Sequence, residues 1–241
     1  MRKEPGSRMQ GRFAGVRMDI GGIDYLGIDR VLKRGSGEII INADNALFVR
    51  DNVSGAYFLA CKDEETAIAL LDDHAGPDCN LLMVSDYDIG QTAFERYGFS
   101  EKLECYQVAY YGEKPAVDTK LSVREADEHD LPMLMENYQM ISPDELAAVV
   151  GRKSILLGYD QGHLIGFIGE HLEGSMGILY IFPEYRHKGF GTALQKYLIA
   201  KTMEKGFIPF GQVEKGNQKS IRLQEKIGMT RSDNLMIWMW K

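Results

Sequence analysis

The segment from Ile181 to Leu194, Ile-Phe-Pro-Glu-Tyr-Arg-His-Lys-Gly-Phe-Gly-Thr-Ala-Leu, constrains this chain more than any other. An extended run closes at Pro183, a loop carries glycine at 189 and 191, and apolar residues then recur as Phe190, Ala193, Leu194, Tyr197 and Leu198. That three-and-four spacing belongs to a helix with one buried face. A strand that enters a helix through a glycine loop is a unit of mixed sheets with helical crossovers, not of a helix bundle. The loop suits a diphosphate: its glycines let the backbone approach a ligand, and the free N–H groups of the first turn lie at the positive end of the helix dipole. Neither Gly-x-Gly-x-x-Gly of dinucleotide-binding folds nor Gly-x-x-x-x-Gly-Lys-Ser/Thr of P-loops is present.

Local signals extend this unit in both directions. Before it, Lys120 to Glu125 reads as a strand and Asp130 to Tyr138 as a helix. Ser142-Pro-Asp-Glu145 is a capping box that opens a helix running to about Val150. Strands follow at Ser154 to Tyr159, His163 to Glu170 and Met176 to Phe182, the first two joined by a tight turn at Asp160-Gln-Gly162. After the loop helix, which stops at Gly206, come a strand from Ile208 to Val213, a helix from Asn217 to Lys226 and a last strand from Asn234 to Trp240. The order is βααβββαβαβ, an α/β or α+β sandwich.

Gly112-Glu-Lys-Pro-Ala-Val-Asp118 reads as a linker. It divides the chain into a flexible N-terminal segment (1–22), an N-terminal domain (23–115) and a C-terminal domain (119–241). In the first half, helices are expected at Asp24 to Lys33, Glu64 to Asp73 and Gln91 to Arg96. Strands are expected at Ile39 to Ile41, Ala46 to Val49, Ala56 to Cys61, Asn80 to Val84 and Lys102 to Tyr111. Its tail, Phe94-Glu-Arg-Tyr-Gly-Phe99 before a Tyr-rich strand, echoes Gln224-Glu-Lys-Ile-Gly-Met229 before a Trp-rich strand, a weak internal repeat.

Composition excludes several classes. The net charge of −7 disfavours a nucleic-acid binder. No apolar run approaches the roughly 20 residues of a membrane span and no signal peptide is evident, so the expected location is cytoplasmic. Cys61, Cys79 and Cys105 form no metal-ligand pattern, and no metal is expected. Between Tyr180 and Lys226, however, nine Lys/Arg stand against four Glu, a local excess of positive charge around the glycine loop that invites an anionic small ligand.

Arg186-His-Lys-Gly-Phe-Gly191 resembles the acyl-coenzyme A pyrophosphate motif of the GNAT (Gcn5-related N-acetyltransferase) superfamily. Val213 to Met229 resembles that family's next strand–helix–strand unit, with Asn217, Ser220 and the terminal Gly228-Met229 at the usual spacings. The resemblance covers roughly residues 120–241. It implies a GNAT-like mixed central sheet flanked by helices, with acetyl-CoA or another acyl-CoA as co-substrate. The backbone amides of Arg186, His187, Lys188, Gly189, Phe190, Gly191 and Thr192 would hold the pyrophosphate. Main-chain groups of Ile181 and Phe182 would pair with the pantetheine arm, and Asn217 and Ser220 would lie nearby, with helix capping by Asn217 as the alternative. If the internal repeat is real, the chain resembles tandem GNAT proteins whose smaller N-terminal half is degenerate and without the cofactor motif. That half would then help form the acceptor pocket or brace its partner.

The sequence departs from the family at two places. Many members carry a Tyr in the last helix to protonate the departing thiolate; here that place is Gln224, which has no proton to give. Some carry a Glu on the strand before the loop, whereas Met176 to Tyr180 holds no acid, so the candidate bases are Glu170, His171 and Glu214. Tyr180 and Tyr185 read as packing residues. The expected function is transfer of an acetyl or short acyl group to a primary amine of a small-molecule acceptor by direct attack; a non-catalytic CoA-binding module is the alternative. The apolar last strand offers a surface through which two copies could pair as a homodimer.

Overall fold

The computed structural model describes residues 15–241. The expected flexible segment lies mostly outside this range, and the part inside it is packed. Met18 and Ile20 are buried, the Arg17 amide donates to Asn42 Oδ1 at 2.9 Å, and the Arg17 guanidinium pairs with Asp44.

The first half comprises α1 (Leu26–Lys33), β1 (Gly37–Asn42), β2 (Ala46–Asp51), β3 (Tyr57–Cys61), α2 (Glu64–His74), β4 (Leu81–Val84), α3 (Tyr87–Arg96) and β5 (Glu101–Ala109). Helices α2 and α3 begin at Asp63 and Asp86, whose carboxylates accept from the amides of Thr66 and Ile89. The second half comprises β6 (Leu121–Glu125), α4 (Leu131–Asn137), α5 (Pro143–Gly151), β7 (Ile155–Asp160), β8 (His163–Gly169), β9 (Tyr180–Ile181), α6 (Phe190–Glu204), β10 (Phe210–Glu214), α7 (Gln218–Ile227) and β11 (Thr230–Trp240). Ser142 caps α5 by accepting from Glu145 N at 3.1 Å. Gln161 and Gly162, both at positive φ, close the β7–β8 hairpin.

The fold is α+β, but its sheets do not follow the division at residues 112–118. One sheet has the order β1-β2-β3-β4-β11-β5-β10 and the other β6-β7-β8-β9. The last strand of each half is inserted beside the penultimate strand of the other: β11 pairs with β4, and β5 pairs with β10. The expected separation into an N-terminal and a C-terminal domain is therefore crossed by one continuous sheet. The last strand lies inside the large sheet, paired with β5 from Thr230 to Trp240 and with β4 over Ile237 to Trp240.

The core is correspondingly shared. Ile28, Val31, Phe58 and Met83 from the first half pack with Met236 and Trp238 from β11, and Phe58 meets Trp238 edge-on at 5.5 Å. Across the halves, Arg30 of α1 reaches Glu170, which follows β8, at 3.2 Å, with both side chains about 5% exposed. On the C-terminal side, α6 and α7 pack Leu194, Leu198, Ile199 and Ile221 onto Val108 of β5 and Val213 of β10. The α4–α5 pair covers the opposite face of the small sheet through Leu134, Leu146 and Val149.

Candidate active site

The strand expected over 176–182 is interrupted, and the interruption builds the site. Met176 N donates to Phe210 O at 2.7 Å, holding the chain against β10. The amides of Gly177 and Ile178 then both donate to the carbonyl of Gly169, and Leu179 N turns back to Gly177 O, a bulge that re-aims the strand. Beyond it β9 pairs only with β8, while β10 continues in the other sheet beside β5, so the two strands diverge from a closed end at Met176 and Phe210. Gly211 is needed at that end, since a Cβ there would lie 2.5 Å from Met176 O.

The glycine loop stands at the open end of this divergence. Gly189, at φ 87°, is the N-cap of α6 and offers no side chain to satisfy the helix, and His187 is also left-handed at φ 61°. Among the described residues, no hydrogen-bond partner meets the backbone amides from His187 to Thr192. Six consecutive donors at the positive end of a 15-residue helix form an anion site. They border a cleft of about 390 Å³ lined by Leu179, Ile181, Arg186, Gly191, Lys219 and Leu223. A Cβ at Gly191 would have Ile181 and Leu179 as its nearest neighbours, at 3.8 and 3.9 Å, so position 191 faces the cleft without filling it. A smaller depression of about 290 Å³ on the other flank is lined by Asp118, Thr192 and Lys196. The donor set, the open space and the basic side chains fit a diphosphate and its attached arm.

The other residues expected at the cofactor site are more committed to the protein. Phe182 N donates to Ile165 O and Phe182 O accepts from Tyr185 N, while Ile181 O accepts from Arg186 Nε at 2.9 Å. Asn217 caps α7, its Oδ1 accepting from Ser220 N at 3.0 Å. Its main-chain amide donates to Glu214 O at 2.9 Å, whereas its side-chain Nδ2 has no partner among the described residues. Gln224 is held through its Oε1 by Nε2 of the buried Gln195, whose own Oε1 is the one buried side-chain polar atom without a partner among the described residues.

The three candidate bases are not brought together. Glu170 is buried and committed, receiving Arg30 Nη1 at 3.2 Å and Thr202 Oγ1 at 2.8 Å, with Lys205 at 4.0 Å. Glu214 is exposed where β10 ends. His171 remains. Its Nδ1 lies 3.6 Å from Glu145 Oε1, and a Cβ on Gly177 would fall 2.5 Å from its Nε2, so the ring rests on the bulge itself. Burial opposes the imidazolium, but the nearby carboxylates of Glu145 and Glu173 outweigh it and raise the His171 pKa. Tyr138 joins this group, its hydroxyl donating to Gly177 O at 3.4 Å. Sequence reasoning named Glu145 and Tyr138 only as helix residues, because each reaches Gly177 or His171 from a distant helix; the capping box that names Glu145 speaks only of the helix start.

The first half offers no like arrangement at its parallel strand pair. There β3 and β4 pair in parallel over Tyr57 to Leu59, leaving no divergence, and α2 starts from an aspartate that satisfies its own helix and repels an anion.

Residues 121–229 match the model of the Acetyltransferase (GNAT) family. No curated protein matches the sequence. Among solved structures, a Drosophila protein is similar with a TM-score of 0.65 at 13% identity, over 93% of this chain and 91% of its own. A GCN5-related N-acetyltransferase-like protein from Streptococcus suis is similar with a TM-score of 0.55 at 13% identity, over 88% and 93% of the two chains. A GCN5-related N-acetyltransferase from Kribbella flavida gives 0.55 at 11%, over 91% and 94%. At these identities the likeness is one of fold, and it extends over both halves. No helix among the described residues is long and apolar enough to cross a membrane. The family match lies across the diverging strands and the glycine loop, so residues 121–229 are similar to the GNAT acetyltransferase family in sequence where the site is built.

Proposed function

We propose that the protein is an N-acyltransferase that moves an acetyl or other short acyl group from coenzyme A to a primary amine by direct attack. The observation that carries this reading is the run of unpartnered amides from His187 to Thr192 beside an open cleft. These amides would hold the pyrophosphate, with Arg186 and Lys219 adding positive charge at the rim. The pantetheine arm would run past Leu179 and Ile181 toward the bulge, where the strands close. Asn217, through its side-chain Nδ2, would contact the arm, and Ser220 would stand beside it on the same turn. When bound, the acyl-CoA supplies an activated thioester, so the protein's work is to position the two reactants and to accept a proton.

A covalent cysteine intermediate has no support. Cys61, Cys79 and Cys105 are all buried, and burial pushes the Cys79 thiol up to about 11 and the Cys105 thiol up to about 12, which keeps both protonated near neutral pH. The engagement of Gln224 with Gln195 favours a second reading, a module that binds CoA without turnover. Release of free thiol from acetyl-CoA in the presence of primary amines separates the two.

Binding is tested by thermal unfolding with and without acetyl-CoA. Ligand at 100 times its dissociation constant adds about 2.7 kcal/mol to the native state. We expect that gain in the wild type and its loss in Gly191→Glu, whose side chain enters the cleft and repels phosphate. No gain in the wild type removes the assignment.

A further inference from the structure

We infer that His171 is the base that takes the acceptor amine's proton and that Glu145 is its positioning residue. The inference rests on the acyl-transfer reading above. The bulge has two sides. Leu179 faces the cofactor cleft, and Gly177, two residues earlier, carries His171 Nε2 against it and Tyr138 on its carbonyl. Two residues span at most about 7 Å of extended chain, so the imidazole is within reach of the closed end of the cleft, where an arm threaded past Leu179 would place its thioester.

The Glu145 carboxylate at Nδ1 favours the tautomer with its proton there, and this leaves the Nε2 lone pair toward the bulge. The nitrogen of a neutral amine forms the new C–N bond with its lone pair. The proton it sheds passes to Nε2, and the C–S bonding pair leaves on sulfur as a thiolate, which the imidazolium or water reprotonates. No side-chain acid on α7 is then required, and Gln224 ceases to be an obstacle to turnover. The charged surroundings of His171 are Glu145 on α5, Glu173 on its own loop and the Tyr138 phenol after α4. On the loop's other side are Arg30, which packs on Gly174, and Arg34, which donates to Leu172 O. The Tyr138 phenol is pushed up to about 12 by burial and by Glu145, so it stays protonated as a donor.

The test needs no knowledge of the acceptor. Histidine-labelled protein is titrated by NMR, with the His171 and His187 signals assigned through His171→Gln and His187→Gln. His187 lies in the loop and reports the cofactor; His171 reports the reacting end. Acetyl-CoA should shift both signals, whereas CoA without the acetyl group should shift His187 equally and His171 less. Glu145→Gln should lower the His171 titration midpoint and, with any amine that is turned over, move the acid limb of the kcat/KM profile to lower pH. If His187 responds while His171 ignores the acetyl group and titrates unchanged in Glu145→Gln, the inference is overturned and the cofactor site stands. If neither signal responds, the acyl-CoA reading falls and takes this one with it.

Discussion

Glu170 and His171 are neighbours in sequence and opposite in use. Glu170 is sealed with Arg30, so removing either partner strands a buried charge, a change that costs about 3–5 kcal/mol. We expect a loss of that order for Arg30→Ala in urea denaturation. Glu214→Ala, at an exposed strand end, should stay within about 0.5 kcal/mol of the wild type. His171 answers to pH instead. Because its pKa is raised in the folded state, it contributes stability that is complete below its unfolded value, near 6.5, and that fades as pH rises through the folded value. The stability difference between the wild type and His171→Gln should therefore shrink as the buffer is moved from pH 6 to pH 8; a difference that grows over this interval would contradict the Glu145 partnership.

The divergence of β9 from β10 depends on a hinge of small residues more than on either strand. Gly211 is its closed end, and Gly211→Ala would drive a Cβ to 2.5 Å from a backbone oxygen that has no rotamer by which to escape. That variant should melt at a lower temperature and lose its stabilisation by acetyl-CoA, whereas Gly216→Ala, with nothing within 4 Å, should keep both. A Gly211→Ala protein with unchanged acetyl-CoA response would show that the closed end does not set the cleft. Much of the element structure was legible because its signals are local: Ser142 announces α5, Gly162 the hairpin, and the Phe190 to Leu198 periodicity announces α6. The free amides from His187 to Thr192 were legible for the same reason, since a glycine loop opening a helix leaves consecutive donors; the Arg186 amide, expected among them, instead donates to Pro183 O at 3.3 Å. The break at 177–179 was not, because Met176 to Phe182 reads as one apolar strand, and only contact with Gly169 and Phe210 divides it. The Glu145–His171–Tyr138 cluster was hidden likewise, as no local pattern records which helix a loop histidine meets.

The exchange of β5 and β11 governs the behaviour of the whole molecule. Met236, Ile237, Trp238 and Met239 are buried in β11 against strands and helices of the first half. At about 1.5–3 kcal/mol for each large apolar side chain, their burial is worth roughly 6–12 kcal/mol. That is comparable with the whole net stability of a domain, about 5–15 kcal/mol. Neither half should therefore survive unfolding of the other, and the linker at 112–118, where the sequence reads as divisible, should not yield two folding units. Both tryptophans of the chain lie in β11, and Trp238 packs on Phe58, so fluorescence from the C-terminal strand reports the core of the N-terminal half. Urea denaturation followed by tryptophan fluorescence and by far-UV circular dichroism should give one midpoint. Acetyl-CoA, bound some distance away at the loop of α6, should raise both signals together. Separate midpoints, or a ligand shift confined to circular dichroism, would mean that the two halves share a sheet without sharing stability.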